Sequence, residues 1–231
     1  MRLTIRRALP LPLHLKALTC LLAAALLLPA PSFSMDTPLS EEAVRDAYFL
    51  GQHHDQSFSL FLAKYTKFLP MPKTGPDIAS ISFLTPFALL SQESSQRTMN
   101  YSAQQAEEDH RNQNEIVQIV IQIQLTETYR ALIPTPTGSR SGSPIGFAKR
   151  PDDFWKDFEV QVVDKDTTLV PLSSSGDSFY SCDGEGGCIL SGATVRFEFS
   201  AEAFKSDSPI VQVTPPEGDP VSVEFDLSRL R

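Results

Sequence analysis

Glu115-Ile116-Val117-Gln118-Ile119-Val120-Ile121-Gln122-Ile123-Gln124-Leu125-Thr126 decides the fold of this chain. Val117, Ile119, Ile121, Ile123 and Leu125 alternate with Gln118, Val120, Gln122, Gln124 and Thr126. In an extended strand successive side chains point to opposite faces, so this pattern gives one apolar and one mostly amide face. An amide face is wetted by solvent, which favours an antiparallel sheet over a parallel one covered on both sides.

The same period recurs downstream. Phe158, Val160 and Val162 alternate with Glu159, Gln161 and Val163, and Asp164-Lys165-Asp166-Thr167 reads as a hairpin turn into Leu169-Val170. Phe179-Tyr180 leads to Cys182, and Cys188 begins a return through Val195, Phe197 and Phe199. A last pair, Ile210 to Val213 and Val221 to Leu227, flanks Pro215-Pro216-Glu217-Gly218-Asp219-Pro220, which cannot continue a strand. The Pro-, Gly- and Ser-rich stretch 134–151 reads as a flexible surface loop.

Upstream the period lengthens. Ser40 can cap a helix whose first turn holds Glu41 and Glu42 and whose apolar face holds Val44, Ala47 and Tyr48. Phe58, Phe61, Leu62, Tyr65 and Leu69 fall at helical spacing, so a second helix is expected there, ended by Pro70-Met71-Pro72. Ala79, Ile81 and Phe83 predict one strand. Thr85-Pro86 predicts a capped short helix over Phe87 to Glu93, and Ser102 to Arg111 a further one.

The expected class is α+β and β-rich: N-terminal helices packed on an antiparallel β-sandwich, immunoglobulin-like or similar, of about seven strands. Region 35–112 is helical with one strand, and 113–231 holds the sandwich; the two form one folded unit.

The first 34 residues read as a cleaved secretory signal peptide. Arg2, Arg6, Arg7 and Lys16 make a basic head, Ala17 to Leu28 an apolar run too short for a spanning helix, and Ser32-Phe33-Ser34 a small-x-small end. No polar residue precedes the Arg6-Arg7 pair, so general secretion is preferred to the twin-arginine route. Cys20 lies inside the apolar run after Thr19 and leaves with the peptide. Cleavage after Ser34 removes four of 20 basic and none of 28 acidic residues, leaving 197 residues with a balance of −12. That balance argues against nucleic acid and anionic lipid as partners. No later segment is long and apolar enough to cross a membrane. The expected location is exported, periplasmic or extracellular in a bacterial host.

Cys182 and Cys188 survive processing and flank Asp183-Gly184-Glu185-Gly186-Gly187, turn material in an oxidising compartment, so a disulfide is expected between them.

Motifs for chemistry are sparse. His53-His54-Asp55 are neighbours that do not converge on one ion, and the Glu107/His110 pair lacks the second pair that a carboxylate-bridged metal site needs. Asp177, Asp183 and Glu185 lack the ligand density of a calcium loop. Gly138-Ser139-Arg140-Ser141-Gly142 has arginine where a nucleophile elbow needs serine. Asn100-Tyr101-Ser102 is a glycosylation sequon. Trp155, the single tryptophan, sits between Phe154 and Phe158; a core anchor is preferred to a binding platform.

No catalytic, metal-binding or cofactor-binding residue is assigned. The expected function is that of an exported soluble, non-catalytic cell-envelope or secreted interaction protein, binding a protein partner through an exposed sheet edge. The alternatives are an envelope-acting hydrolase with unlocated acidic residues, or a carbohydrate or small-ligand module using Trp155.

Overall fold

In a computed structural model of the chain, residues 35–97, 101–135 and 146–231 are described. The signal-peptide reading, Asn100 and the Gly138–Gly142 stretch lie outside them.

Among the described residues four helices lie before residue 112, each capped by the residue type that satisfies its free N–H groups. Helix α1 (Glu41–Gln52) is capped by Ser40, whose Oγ accepts from Ala43 N (3.1 Å). Helix α2 (Gln56–Ala63) is capped by Asp55. Two strands follow, β1 (Thr66–Phe68) and β2 (Asp77–Leu84). Helix α3 (Pro86–Gln96) starts at Thr85-Pro86, and α4 (Ala103–Arg111) at Ser102.

Then come β3 (Ile116–Gln124), β4 (Leu132–Thr135), β5 (Gly146–Lys149), β6 (Glu159–Asp164) and β7 (Thr167–Leu169). The last four strands are β8 (Ser173–Cys182), β9 (Cys188–Ser200), β10 (Ile210–Thr214) and β11 (Val221–Glu224). All pairs are antiparallel, in a five-stranded sheet β1-β2-β3-β9-β8, a four-stranded sheet β11-β10-β6-β7 and a separate β4-β5 hairpin. The architecture is therefore α+β and β-rich, with helices on a sandwich.

Strand β3 occupies the centre of the larger sheet. Its odd residues, Val117 to Ile123, are fully buried between the sheets against Phe83, Val195, Phe199, Val162, Val211 and Val213. Its even residues face outward beside Ser80, Ser82, Thr194 and Arg196. Val120 interrupts that amide face, and there the helical layer docks: Val120 packs with Tyr65, Leu84 and Ala88. The helices keep a second small core of Leu39, Ala43, Val44, Ala47, Phe87, Leu90 and Ala106. Gly51 lets α1 touch α3, since a Cβ there would lie 2.1 Å from the Ser91 carbonyl oxygen.

The structure departs from the local pattern in two places. The helix expected through Leu69 ends at Ala63, and Thr66–Phe68 pairs with β2 instead, giving the region before residue 112 a second strand. Tyr65 explains the break: its ring is buried under α3, and its hydroxyl donates to the Arg231 carbonyl (3.0 Å). The two ends of the 134–151 stretch form the β4–β5 hairpin. Pro134 is tolerated because this two-stranded ladder has only edge strands. Phe154–Asp157 forms a 3₁₀ turn before β6.

The burial of β3 sets a prediction. Ile121→Ala should lower unfolding free energy by about 2–5 kcal/mol in chemical denaturation, while Gln122→Ala on the opposite face should change it by about 0.5 kcal/mol or less.

Candidate functional site

The β6–β7 hairpin brings the chain to one side of the sandwich. Strand β7 is the edge of the smaller sheet. Val170-Pro171-Leu172 then crosses to the larger sheet, where β8 is the edge. Pro171 has no N–H to continue the ladder. Two strand edges unpaired among the described residues are therefore joined by a crossing that leaves Val170 84% and Leu172 64% exposed.

Strand β8 is ten residues long and pairs, among the described residues, only with β9. Its inward flank is covered. A Cβ on Gly176 would lie 2.3 Å from Trp155 Cε2, so the indole rests directly on the strand. The Ser178 hydroxyl donates to the Asp152 carbonyl. Its outward flank is internally satisfied: Arg196 Nη1 pairs with Asp177 Oδ2 (2.6 Å), and the Ser173 hydroxyl donates to Glu198 Oε2 (2.8 Å). What β8 presents is its main-chain edge. No Lys or Pro, the usual guards of an open edge, lies within it.

Cys182 and Cys188 form the disulfide, on directly paired positions of β8 and β9. Inside the loop Asp183 Oδ1 accepts the N–H groups of Glu185 (3.1 Å) and Gly187 (2.7 Å), so this carboxylate shapes the turn. Asp177 is engaged by Arg196 as above. Glu107 and His110 diverge: Glu107 Oε1 accepts from Arg45 Nε (2.6 Å), whereas His110 Nε2 lies 3.0 Å from Glu115 Oε1. His53 and His54 sit exposed at the α1–α2 joint, where Asp55 caps α2. Among the described residues no group of three His, Cys, Asp or Glu side chains could hold a metal ion, and no helix is long and apolar enough to cross a membrane.

Glu115 is a residue whose role the sequence does not signal. It lies between α4 and β3 and holds the segment before α1: the Thr37 hydroxyl donates to Oε2 (2.5 Å), and Leu39 N–H to Oε1 (2.5 Å). Burial works to raise this carboxyl, but hydrogen bonds from His110, Thr37 and Leu39 outweigh it and hold the group below the ordinary range. A cleft of about 330 Å³ opens beside it, lined by Glu93, Gln96, His110, Asn114 and Gln118. Three donors occupy the Glu115 oxygens, and the one hydroxyl among them, Thr37, donates to the carboxylate rather than to the imidazole. The arrangement is a clamp, not a nucleophile–base pair, which would need the hydroxyl on the imidazole.

Compared with known proteins, the chain matches no family model, no curated protein and no solved structure.

Two predictions follow from this geometry. A carboxylate whose folded pKa is depressed stabilises the fold above its unfolded value, and that contribution is lost as pH falls through the folded value. Glu115→Gln should therefore melt lower at pH 7, by about 1–2 kcal/mol for charge-assisted hydrogen bonds. The gap from wild type should close on acidification below the ordinary carboxylate value of 4.5. For the disulfide, loop closure over so few residues is worth about 2 kcal/mol. Cys182→Ser, Cys188→Ser and the double variant should lose the same amount in thermal or chemical unfolding, since one bond is lost in each.

Proposed function

We propose that this is an exported, non-catalytic interaction protein of the cell envelope or extracellular space, which binds an extended segment of a partner protein along β8. The open β8 edge carries this reading. An extended peptide added to a sheet edge gains affinity from main-chain hydrogen bonds, and β8 offers ten residues of unguarded edge. Val170 and Leu172, exposed beside the start of β8, supply apolar contacts for the partner's side chains.

Export is supported by the basic-then-apolar leader sequence, and by a disulfide, which persists in oxidising compartments. Met35, the first residue after the proposed cleavage, is buried in the sandwich core. The fold keeps the edge in place independently of any partner, because β8 is tied to β9 along its length and closed by the disulfide.

A photo-crosslinking residue placed at position 175 of β8, in the native host, should give an adduct of one discrete mass with another protein. The same residue at position 224 of β11 should give none. No adduct at 175, or equal yields at both positions, would remove the basis for the reading. An adduct of twice the chain mass would instead identify the partner as a second copy.

A further inference from the structure

We infer that the β4–β5 hairpin docks this protein on an anionic lipid surface. The negative balance of the whole chain argues against such a partner, but the charge is not spread evenly. In a chain with 28 acidic residues, none lies between Glu127 and Asp152. The hairpin occupies that gap, and Arg130, Lys149 and Arg150 stand at its base.

Register fixes what the hairpin presents. Leu132 pairs with Lys149 and Pro134 with Phe147, so these four side chains share one face. That face is open to solvent: Phe147 is 65% and Leu132 47% exposed. Tyr180 continues the strip, with Lys149 Nζ 5.4 Å from its ring centre. Lys149 also pairs with Asp152 (3.1 Å), the acidic residue that ends the gap. The hairpin is held firmly at its base. The Arg150 guanidinium stacks 3.5 Å above the buried Tyr129 ring, and its Nε donates to the Arg130 carbonyl (2.9 Å).

A strip of exposed apolar side chains with cations at one end matches the interface of a bilayer carrying anionic headgroups. There the apolar groups leave water and the cations remain among the phosphates. A soluble polyanion would use the cations alone and leave Phe147 without a role. The binding is of the weak, reversible kind, because the strip is short. It uses the Tyr180 side chain of β8 but not that strand's main-chain edge.

The test is co-sedimentation of the purified full chain with vesicles of equimolar phosphatidylglycerol and phosphatidylcholine, and with phosphatidylcholine alone. Wild type should bind the anionic vesicles, and binding should fall with added salt. Phe147→Ser should weaken binding about tenfold, the order expected for removing one apolar anchor, and Arg130→Glu should weaken it further at low salt. The melting temperature of Phe147→Ser should match wild type, since the side chain is exposed. Both proteins retain the basic and apolar residues 1–34, so binding is compared at lipid concentrations where wild type is only partly bound and a tenfold difference in affinity shows. Ser175→Lys in β8 should bind vesicles as wild type does, which separates this proposal from the edge reading. Equal binding by wild type and Phe147→Ser, or no binding by either, would overturn it. So would heparin binding that Phe147→Ser leaves unchanged in the absence of vesicle binding, which would assign the cations to a soluble polyanion.

Discussion

The antiparallel pairing of β3 with β2 on one side and β9 on the other holds the rest of the molecule in place. Because β3 is central, its backbone groups are used on both edges, and its odd side chains lie at the middle of the inter-sheet core. A shift of one residue in this register would turn four buried β-branched residues to solvent and bury the glutamines. The register is therefore fixed, and with it the positions of β2, which carries the helical layer, and β9, which carries β8.

The helical layer is attached by few but specific contacts. Val120 supplies an apolar foothold on the amide face, and Tyr65, Leu84 and Ala88 complete it. Polar clamps close the ends. Glu115 ties Thr37 and Leu39 to the start of β3. Arg231 stacks over Phe87 (4.5 Å) and pairs with Asp46 (2.8 Å) and Asp36 (3.4 Å), bringing residue 231 against the helices. The exposed ion pairs add little individually; the partly buried Glu115 clamp has more to contribute because its carboxylate is withdrawn from water and fully engaged.

The two surfaces proposed to act lie where the scaffold leaves something unsatisfied. On β8 it is a row of main-chain groups, because the sheet ends there. On β4–β5 it is a strip of apolar side chains, because among the described residues no second layer covers this face of the two-stranded ladder. Neither depends on a catalytic group. The titratable residues that the structure does bring together are engaged in holding segments: Glu115 with His110, Asp177 with Arg196, and Asp183 with its own turn.

Much of this was legible from residue order. Strict alternation over residues 117–125 could produce only a strand with one buried face, and Ser40, Thr85-Pro86 and Ser102 marked helix starts because their side chains satisfy local N–H groups. The paired cysteines around a Gly-rich turn likewise required only local geometry. Tertiary structure decided the remainder. Thr66–Phe68 became a strand because β2 had an open edge to pair with, although the spacing from Phe58 to Leu69 is helical. Ser173–Ser178 carries no strand signal at all, being Ser, Gly and Asp. It is extended because the edge of β9 turned away from β3 pairs with it from Ala193 to Glu198, and because Trp155 fills the space above Gly176. The Glu115 clamp was hidden because Thr37 and Leu39 lie far from it in the chain, and periodicity reports only which way a side chain points, not what stands opposite it.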